Sequence, residues 1–227
     1  HVGGLALLYR AAFYGTTVEL APRFDPAQVA QRLHSGEVHG VSLTPRMLAD
    51  VLAAAPQQRP MPSALRVMLV GGAAMSAELL QAARDRKLPV ARTWGMTEAA
   101  SQVCTATPGD LDQPGLPPLA FARVSAHDGR LALTGPLVNG DFTTADVGEI
   151  DASGRVSVLG RADDVIVSGG AKTMPGVVEG VLRSHPSVKQ AAVVGRADAR
   201  WGAVPVAFVV CGDAAVTAEQ LRRWCRA

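Results

Sequence analysis

The sequence predicts an α/β fold: a parallel sheet with flanking helices plus a small antiparallel β-subdomain, followed by a small α+β C-terminal domain. Three observations carry that expectation. Over residues 1–107, apolar runs of strand length alternate with capped helical stretches, the texture of βαβ units. Over 108–160, short β-rich runs are divided by Asp128-Gly129, Asn139-Gly140 and Ser153-Gly154, dipeptides that supply the positive φ of tight turns. After Gly160 a Gly-Gly turn, one helix and two further strands appear. Residues 161–164 read as a hinge between a large domain, 1–160, and a partial small domain, 165–227.

The elements follow in order. Residues 16–20 read as a strand. Asp25-Pro26 gives an N-cap with Pro at the first helical position, and Gly36 a stop. Residues 38–43 form a second strand, and Thr44-Pro45 opens a helix running to about Ala55. A third strand, 66–70, leads into Gly71-Gly72, and Ser76 caps the next helix. Residues 88–93 form a fourth strand. The segment 108–118 holds four prolines and two glycines and reads as a loop. Beyond the hinge, the expectation is a strand at 165–167, a helix over 175–184, strands at 191–194 and 204–210, and a last helix opened by the capping box Thr217-x-x-Gln220.

Composition excludes several function classes. The 227 residues carry 22 Lys and Arg against 20 Asp and Glu, a net charge of +2, so no nucleic-acid partner is expected. With 48% hydrophobic and 19% charged residues, the chain can bury a core. Aromatics are only 4%, so Ala, Val and Leu must build it. No apolar run reaches the roughly 18 residues of a membrane helix, and no membrane insertion is expected. The apolar start lacks the basic flank of a signal peptide. The three cysteines, Cys104, Cys211 and Cys225, form no C-x-x-C pair, and the expected compartment is a reducing cytoplasm. The chain starts at His1 without Met and stops at Ala227 inside a helical pattern, so a fragment, or processed or missing ends, is the expectation.

Familiar motifs are absent. Lys172 follows Gly169-Gly170 at the wrong spacing for a phosphate-binding G-x-x-x-x-G-K-[ST] loop, and neither G-x-G-x-x-G nor G-x-S-x-G occurs. His34 and His39 are five apart, off a shared helix face, so zinc is not expected.

Three constellations remain. Gly71, Gly72 and Ala73 precede a capped helix; bare backbone and free helix N–H groups suit a flat ligand or a phosphate. An ordinary tight βα turn fits as well. Trp94, Gly95, Met96, Thr97 and Glu98 end the next strand. An aromatic ring can stack on a base, and a hydroxyl beside a carboxylate can hold a phosphate oxygen and Mg²⁺; a plain helix start is the alternative. Residues 143–148 and 160–164, then Ser168, Gly169 and Gly170, form the third. There Asp146 can accept two ribose hydroxyls and Arg161 can balance phosphate charge. The alternative is a pair of turns with a surface salt bridge.

In this order and spacing the constellations resemble the motifs of the adenylate-forming superfamily, which includes acyl-CoA synthetases, peptide-synthetase adenylation domains and luciferases. Residues 93–98 resemble its aromatic-Gly-x-Thr-Glu motif, with Trp94 where Tyr is usual. Residues 144–148 resemble Thr-Gly-Asp-x-Gly, with Ala145 in place of Gly. Residues 160–179 resemble Gly-Arg-x-Asp-Asp, Gly-Gly, Pro and Val-Glu in turn. Within the superfamily, the run His1 to Leu5, the stretch 97–104 and the compact 168–170 turn are most similar to the o-succinylbenzoate–CoA ligases of menaquinone biosynthesis. Fatty or aryl acid–CoA ligases share some of these features and stay open as an alternative. So does a non-catalytic adenylate-binding or interaction fragment.

The resemblance implies the adenylate-forming enzyme fold, truncated, and a reaction in which a small-molecule acid, ATP and CoA meet with Mg²⁺. It implies that Gly71, Gly72 and Ala73 line the adenine with Trp94 stacked on it, that Gly95 and Met96 belong to the same ATP/AMP site, and that Thr97 touches the α-phosphate. Glu98 would hold Mg²⁺, Asp146 would bind the ribose and Arg161 would assist there. His1, Ser101 and Gln102 would be on the acid side, with His1 also counted as catalytic. Asp163 would be the hinge, and Ser168, Gly169 and Gly170 would face CoA. The family's phosphate loop lies upstream of His1 and its catalytic Lys downstream of Ala227, so little adenylation is expected of the chain as written. Homo-oligomers are common in the family, and the sequence leaves that state open.

Overall fold

The computed structural model describes residues 2–55, 60–212 and 216–226. His1 lies outside the described residues. The chain forms two compact units: His1–Val124 with Leu133–Phe142 and Ile150–Val156, and Ser125–Ala132 with Thr143–Glu149 and Ser157–Ala227.

The first unit opens with α1 (Val2–Tyr14) and α2 (Pro26–His34). The Asp25 carboxylate accepts from the Ala27 and Gln28 N–H groups at 2.9 and 3.1 Å, satisfying donors that a helix start leaves orphaned. Then come β1 (Gly40–Leu43), α3 (Pro45–Ala54), β2 (Val67–Val70), α4 (Ala77–Asp85), β3 (Val90–Met96) and β4 (Ser101–Thr105). Thr44 and Ser76 cap α3 and α4 as expected, accepting from Met47 and Leu79 N–H at 3.2 Å each. Leu48, Val51 and Leu52 on α3, with Ala55 just beyond, share one helix face and are buried against Met68, Val70 and Val90 of the sheet. Each large aliphatic side chain so buried stabilises the unit by about 1.5–3 kcal/mol.

The sheet order is β1-β2-β3-β4. β1, β2 and β3 are parallel; β4 runs antiparallel to β3. One expectation needs correction here, and one alternative falls. Residues 16–20 form no strand. Leu20 is 72% exposed, and Glu19 is held instead by Arg32 of α2 at 2.8 Å; high β-propensity cannot make a strand without a ladder partner. And Thr97 and Glu98 do not start an α-helix. β3 runs on through Trp94, Gly95 and Met96, the chain reverses in the single 3₁₀ turn Thr97–Ala99, and β4 returns. Ala100 and Ser101 take φ of +52° and +120°, which stops a helix from continuing.

The Pro-rich segment 108–118 is a loop, as its composition implies, but a tethered one. Arg84 reaches Asp112 at 2.8 Å and the Leu111 carbonyl at 2.6 Å. Arg92 donates to the Gln113 carbonyl at 2.6 Å, and Arg155 pairs with Asp110 at 3.2 Å. The returning chain backs β4, with Thr105 N–H on the Pro117 carbonyl and Leu119 N–H on the Val103 carbonyl at 3.0 and 2.9 Å.

β5 (Arg123–His127), β6 (Arg130–Thr134), β7 (Phe142–Ile150) and β8 (Val156–Arg161) form a sheet in that order. Asp128 and Gly129 both have positive φ, +50° and +79°, the type I′ geometry that an Asp-Gly pair favours.

The second unit also contains β9 (Ile166–Ser168), β10 (Ala171–Thr173), α5 (Pro175–Arg183), β11 (Val188–Asp198), β12 (Gly202–Cys211) and α6 (Ala218–Trp224), with sheet order β10-β9-β12-β11. β10 is additional to the expected strands, and β11 and β12 are longer, because they pair from Val188 with Cys211 to Asp198 with Gly202. The capping box of Thr217 and Gln220 is present. Glu179 accepts from Val193 N–H at 2.9 Å, and Arg183, one turn on, donates to the Ala191 carbonyl at 3.2 Å. The Val-Glu pair that ends the third motif therefore fastens α5 to the β11 backbone. Among the described residues, no helix is long and apolar enough to cross a membrane.

All three cysteines are free, Cys104 buried and the other two exposed. Burial pushes the Cys104 thiol up to about 12. A thiol whose folded value is raised stabilises the fold fully below its unfolded value, and that contribution is lost as pH rises from about 9 to about 12. Iodoacetamide at pH 9 is therefore expected to label Cys211 and Cys225 in the folded chain and Cys104 only after denaturation. Mass spectrometry showing three labels on the native chain would contradict this burial.

Candidate functional site

The candidate residues fall into two groups, one in each compact unit. In the first unit the Gly71 turn lies flat against β3. A Cβ on Gly71 would sit 2.8 Å from the Thr93 carbonyl oxygen, and Gly72 has φ +86°. Both positions thus need glycine. Gly72 and Ala73 are exposed.

The β3–β4 hairpin carries the second motif. Its ladder shifts register between Trp94 and Gly95. There the strands cross so closely that a Cβ on Gly95 would overlap the Ser101 carbonyl oxygen and lie 2.8 Å from Gln102 Cα. The glycine of the aromatic-Gly-x-Thr-Glu motif has a backbone reason: it lets the hairpin close. Trp94 is only 9% exposed, so a narrow part of its surface is open to a ligand. Met96 is half-buried, while Thr97 and Glu98 are exposed at the tip. Ser101 and Gln102 are half-buried just past them.

Glu98 makes no ion pair among the described residues. No group of three or more metal-ligating side chains exists among those residues either. One carboxylate still fits Mg²⁺, which keeps several waters and commonly takes one or two protein carboxylates plus substrate phosphates.

In the second unit Thr144 is buried, and its hydroxyl donates to the Leu131 carbonyl at 2.8 Å while accepting from Asp146 N–H at 3.0 Å. That knot fixes the backbone at Asp146, whose side chain is 16% exposed. Arg161 approaches Asp146 at 3.7 Å and Asp163 at 3.9 Å, and it is itself 57% exposed. Ion pairs this long and wet contribute little to stability, so the guanidinium is available to an anion. A Cβ on Gly148 would come 2.5 Å from the Ser157 carbonyl oxygen and 2.8 Å from Leu131, which explains the motif's final glycine. Ala145 has no positive φ, so its departure from the family's Gly costs no backbone strain.

Arg161, Asp163 and Asp164 line a cavity of about 570 Å³ together with Met174, Glu179 and Val193. Gly169 and Gly170 turn between β9 and β10 with φ of +55° and +86°. Trp201, about half exposed, lies against Gly169 so closely that a Cβ there would strike its ring, and Arg200 stands 4.9 Å from the ring centre. Neither Trp201 nor Arg200 stood out in the sequence. A Trp in a polar hairpin connection was the available signal.

The fold and these two motif groups define a class. A family model described as AMP-binding enzyme matches residues 1–141, and one described as AMP-binding enzyme C-terminal domain matches 177–227. The chain belongs to the AMP-binding enzyme family. It is 36% identical, over 99% of its length, to a 2-succinylbenzoate–CoA ligase of Bacillus cytotoxicus, of which it covers 52%. Two solved structures of o-succinylbenzoate CoA synthetase from Bacillus subtilis superpose over the whole chain and over 52% of their own. One, in complex with the acyl-adenylate intermediate, is 33% identical with a TM-score of 0.85. The other, with ATP and magnesium ion, is 32% identical, also with a TM-score of 0.85. The chain spans about half the length of the curated relatives it matches.

Proposed function

We propose that this chain serves an ATP-dependent acid–CoA ligase that acts on o-succinylbenzoate through an acyl-adenylate. The carboxylate oxygen of the acid attacks the α-phosphorus of ATP, and the bond to pyrophosphate breaks. The CoA thiol, giving up its proton, then attacks the acyl carbon and AMP leaves. A carboxylate is a poor acyl donor because oxide is a poor leaving group, and adenylation replaces oxide with AMP.

The observation that carries this reading is Glu98, exposed and without an ion pair among the described residues, at the tip of a hairpin whose closing position tolerates only glycine. That carboxylate is open to solvent, which suits a ligand of phosphate-bound Mg²⁺. Mg²⁺ bound there supplies the positive charge that phosphoryl transfer requires. Thr97 donates its hydroxyl to the α-phosphate. Gly71, Gly72, Ala73, Gly95, Met96 and the open edge of Trp94 line the adenine. Asp146, its backbone fixed by Thr144, accepts from the ribose hydroxyls, with Arg161 beside it. Ser101 and Gln102 stand on the acid side of Glu98, and His1 joins them by resemblance. Ser168, Gly169 and Gly170 face CoA. Asp163, 79% exposed and only loosely paired with Arg161 at 3.9 Å, is the hinge that the resemblance implies. Three free cysteines suit a reducing cytoplasm. The sequence similarity to 2-succinylbenzoate–CoA ligases supports this acid over others.

The test is pyrophosphate release by the full gene product with ATP, Mg²⁺ and a panel of acids. o-Succinylbenzoate is expected to exceed fatty and simple aryl acids by at least about tenfold in kcat/KM, the ratio given by about 1.4 kcal/mol of differential binding. A fatty or aryl acid in first place would replace the substrate. Silence with every acid would favour a non-catalytic role.

A further inference from the structure

Gln102 is joined to a chain of hydroxyls beneath the hairpin. Its Nε2 lies 2.7 Å from Thr105 Oγ1 and 3.5 Å from Thr93 Oγ1. The two threonine hydroxyls are 3.0 Å apart, and Thr93 Oγ1 is 2.9 Å from the Cys104 carbonyl oxygen. One assignment of protons satisfies all of these contacts. A carbonyl only accepts, so the Thr93 proton goes to Cys104. The contact between hydroxyls must then use the Thr105 proton, which leaves Thr105 needing a donor, and Gln102 must turn its amide N–H toward it. Had the amide been reversed, Thr105 would have spent its proton on Gln102 and the hydroxyl pair would have none. The chain of donors thus runs one way: Gln102, Thr105, Thr93, Cys104.

Thr93 is also the residue on which the Gly71 turn rests. A Cβ on Gly71 would meet both the Thr93 methyl and its carbonyl oxygen. The relay therefore begins just past Glu98 and passes through Thr93, against which the Gly71 turn packs, before it ends on the Cys104 carbonyl. We propose that Gln102 is a positioning residue. Through Thr105 it fixes Thr93, the residue against which the Gly71 turn packs, so its loss is felt in nucleotide binding. This deepens the ligase reading above and rests on it.

The experiment compares the full gene product with Gln102→Met, Thr105→Val, Thr105→Ser and the double variant Q102M/T105V. KM for ATP and for the acid, and AMP affinity by calorimetry, are measured. Each of Q102M and T105V is expected to weaken ATP and AMP binding by about tenfold. The double variant should be no worse than the weaker single, because both break one chain. T105S, which keeps the hydroxyl, should stay within about twofold of wild type. If Q102M raises only the acid's KM while T105V is silent, Gln102 contacts the acid directly and the relay has no positioning role; additive losses would overturn it equally.

A second measurement covers variants that fold poorly. In the wild-type protein, the Gln102 side-chain amide is expected to show one slowly exchanging proton by NMR, shifted in T105S. A fast-exchanging amide that ignores T105S overturns the relay. This readout needs no nucleotide. If wild-type protein binds no ATP, the ligase reading fails while the amide signal still judges the hydrogen-bond chain.

Discussion

Gly95→Ala is expected to destabilise the first unit by about 3 kcal/mol or more. Overpacking usually costs about 1–3 kcal/mol because side chains can shift to make room. Here the obstacle is the Ser101 carbonyl and the Gln102 Cα, and neither can rotate away. The hairpin must open or its register must slip, and either outcome exposes Val103 and Cys104, both fully buried. Against a typical total of about 5–15 kcal/mol, that is a large share. Gly180→Ala is the control. It lies inside α5, and nothing stands within 4 Å of its added methyl, so a gain of up to about 1 kcal/mol is expected from helix propensity. Thermal or urea unfolding compares them. Wild-type stability for the Gly95 variant would mean that the strands do not cross as described.

Glu98→Gln is expected to separate activity from stability. The change keeps size and shape, and Glu98 is exposed and unpaired among the described residues, so unfolding should move by no more than about 0.5 kcal/mol. Pyrophosphate release by the full gene product should fall on the order of 100-fold or more, since charge stabilisation by a bound metal contributes several kcal/mol to such steps. The Mg²⁺ concentration for half-maximal rate should rise as well. A variant within twofold of wild type, with an unchanged Mg²⁺ requirement, would remove Glu98 from the metal's coordination and with it the observation on which the function rests.

Much of the architecture is written in short-range signals. Asp25-Pro26, Thr44-Pro45 and Ser76 name three helix starts because a cap needs only one oxygen and the next few N–H groups. Asp128-Gly129 names a hairpin because both residues tolerate positive φ. The motifs at 93–98 and 144–148 are legible as residue patterns, but the reason for their glycines is not local: Gly95 is required by Ser101 and Gln102 across the hairpin, and Gly148, inside β7, by Ser157 and Leu131. The misses are of another kind. Residues 16–20 have strand composition and no partner. β10 is three residues long, and β4 follows a Thr-Glu pair that could equally have begun a helix.

The sequence by itself determined the layered α/β class, most turns and caps, and the motif positions that mark an AMP-binding enzyme. Only the tertiary structure decided that β4 turns back antiparallel, that Trp94 is mostly covered, and that the Gln102 amide faces Thr105. Caps and turns are settled by residues within one turn of each other. Strand partners, burial and the direction of a hydrogen-bond chain depend on groups brought together across the fold, and no local pattern records them.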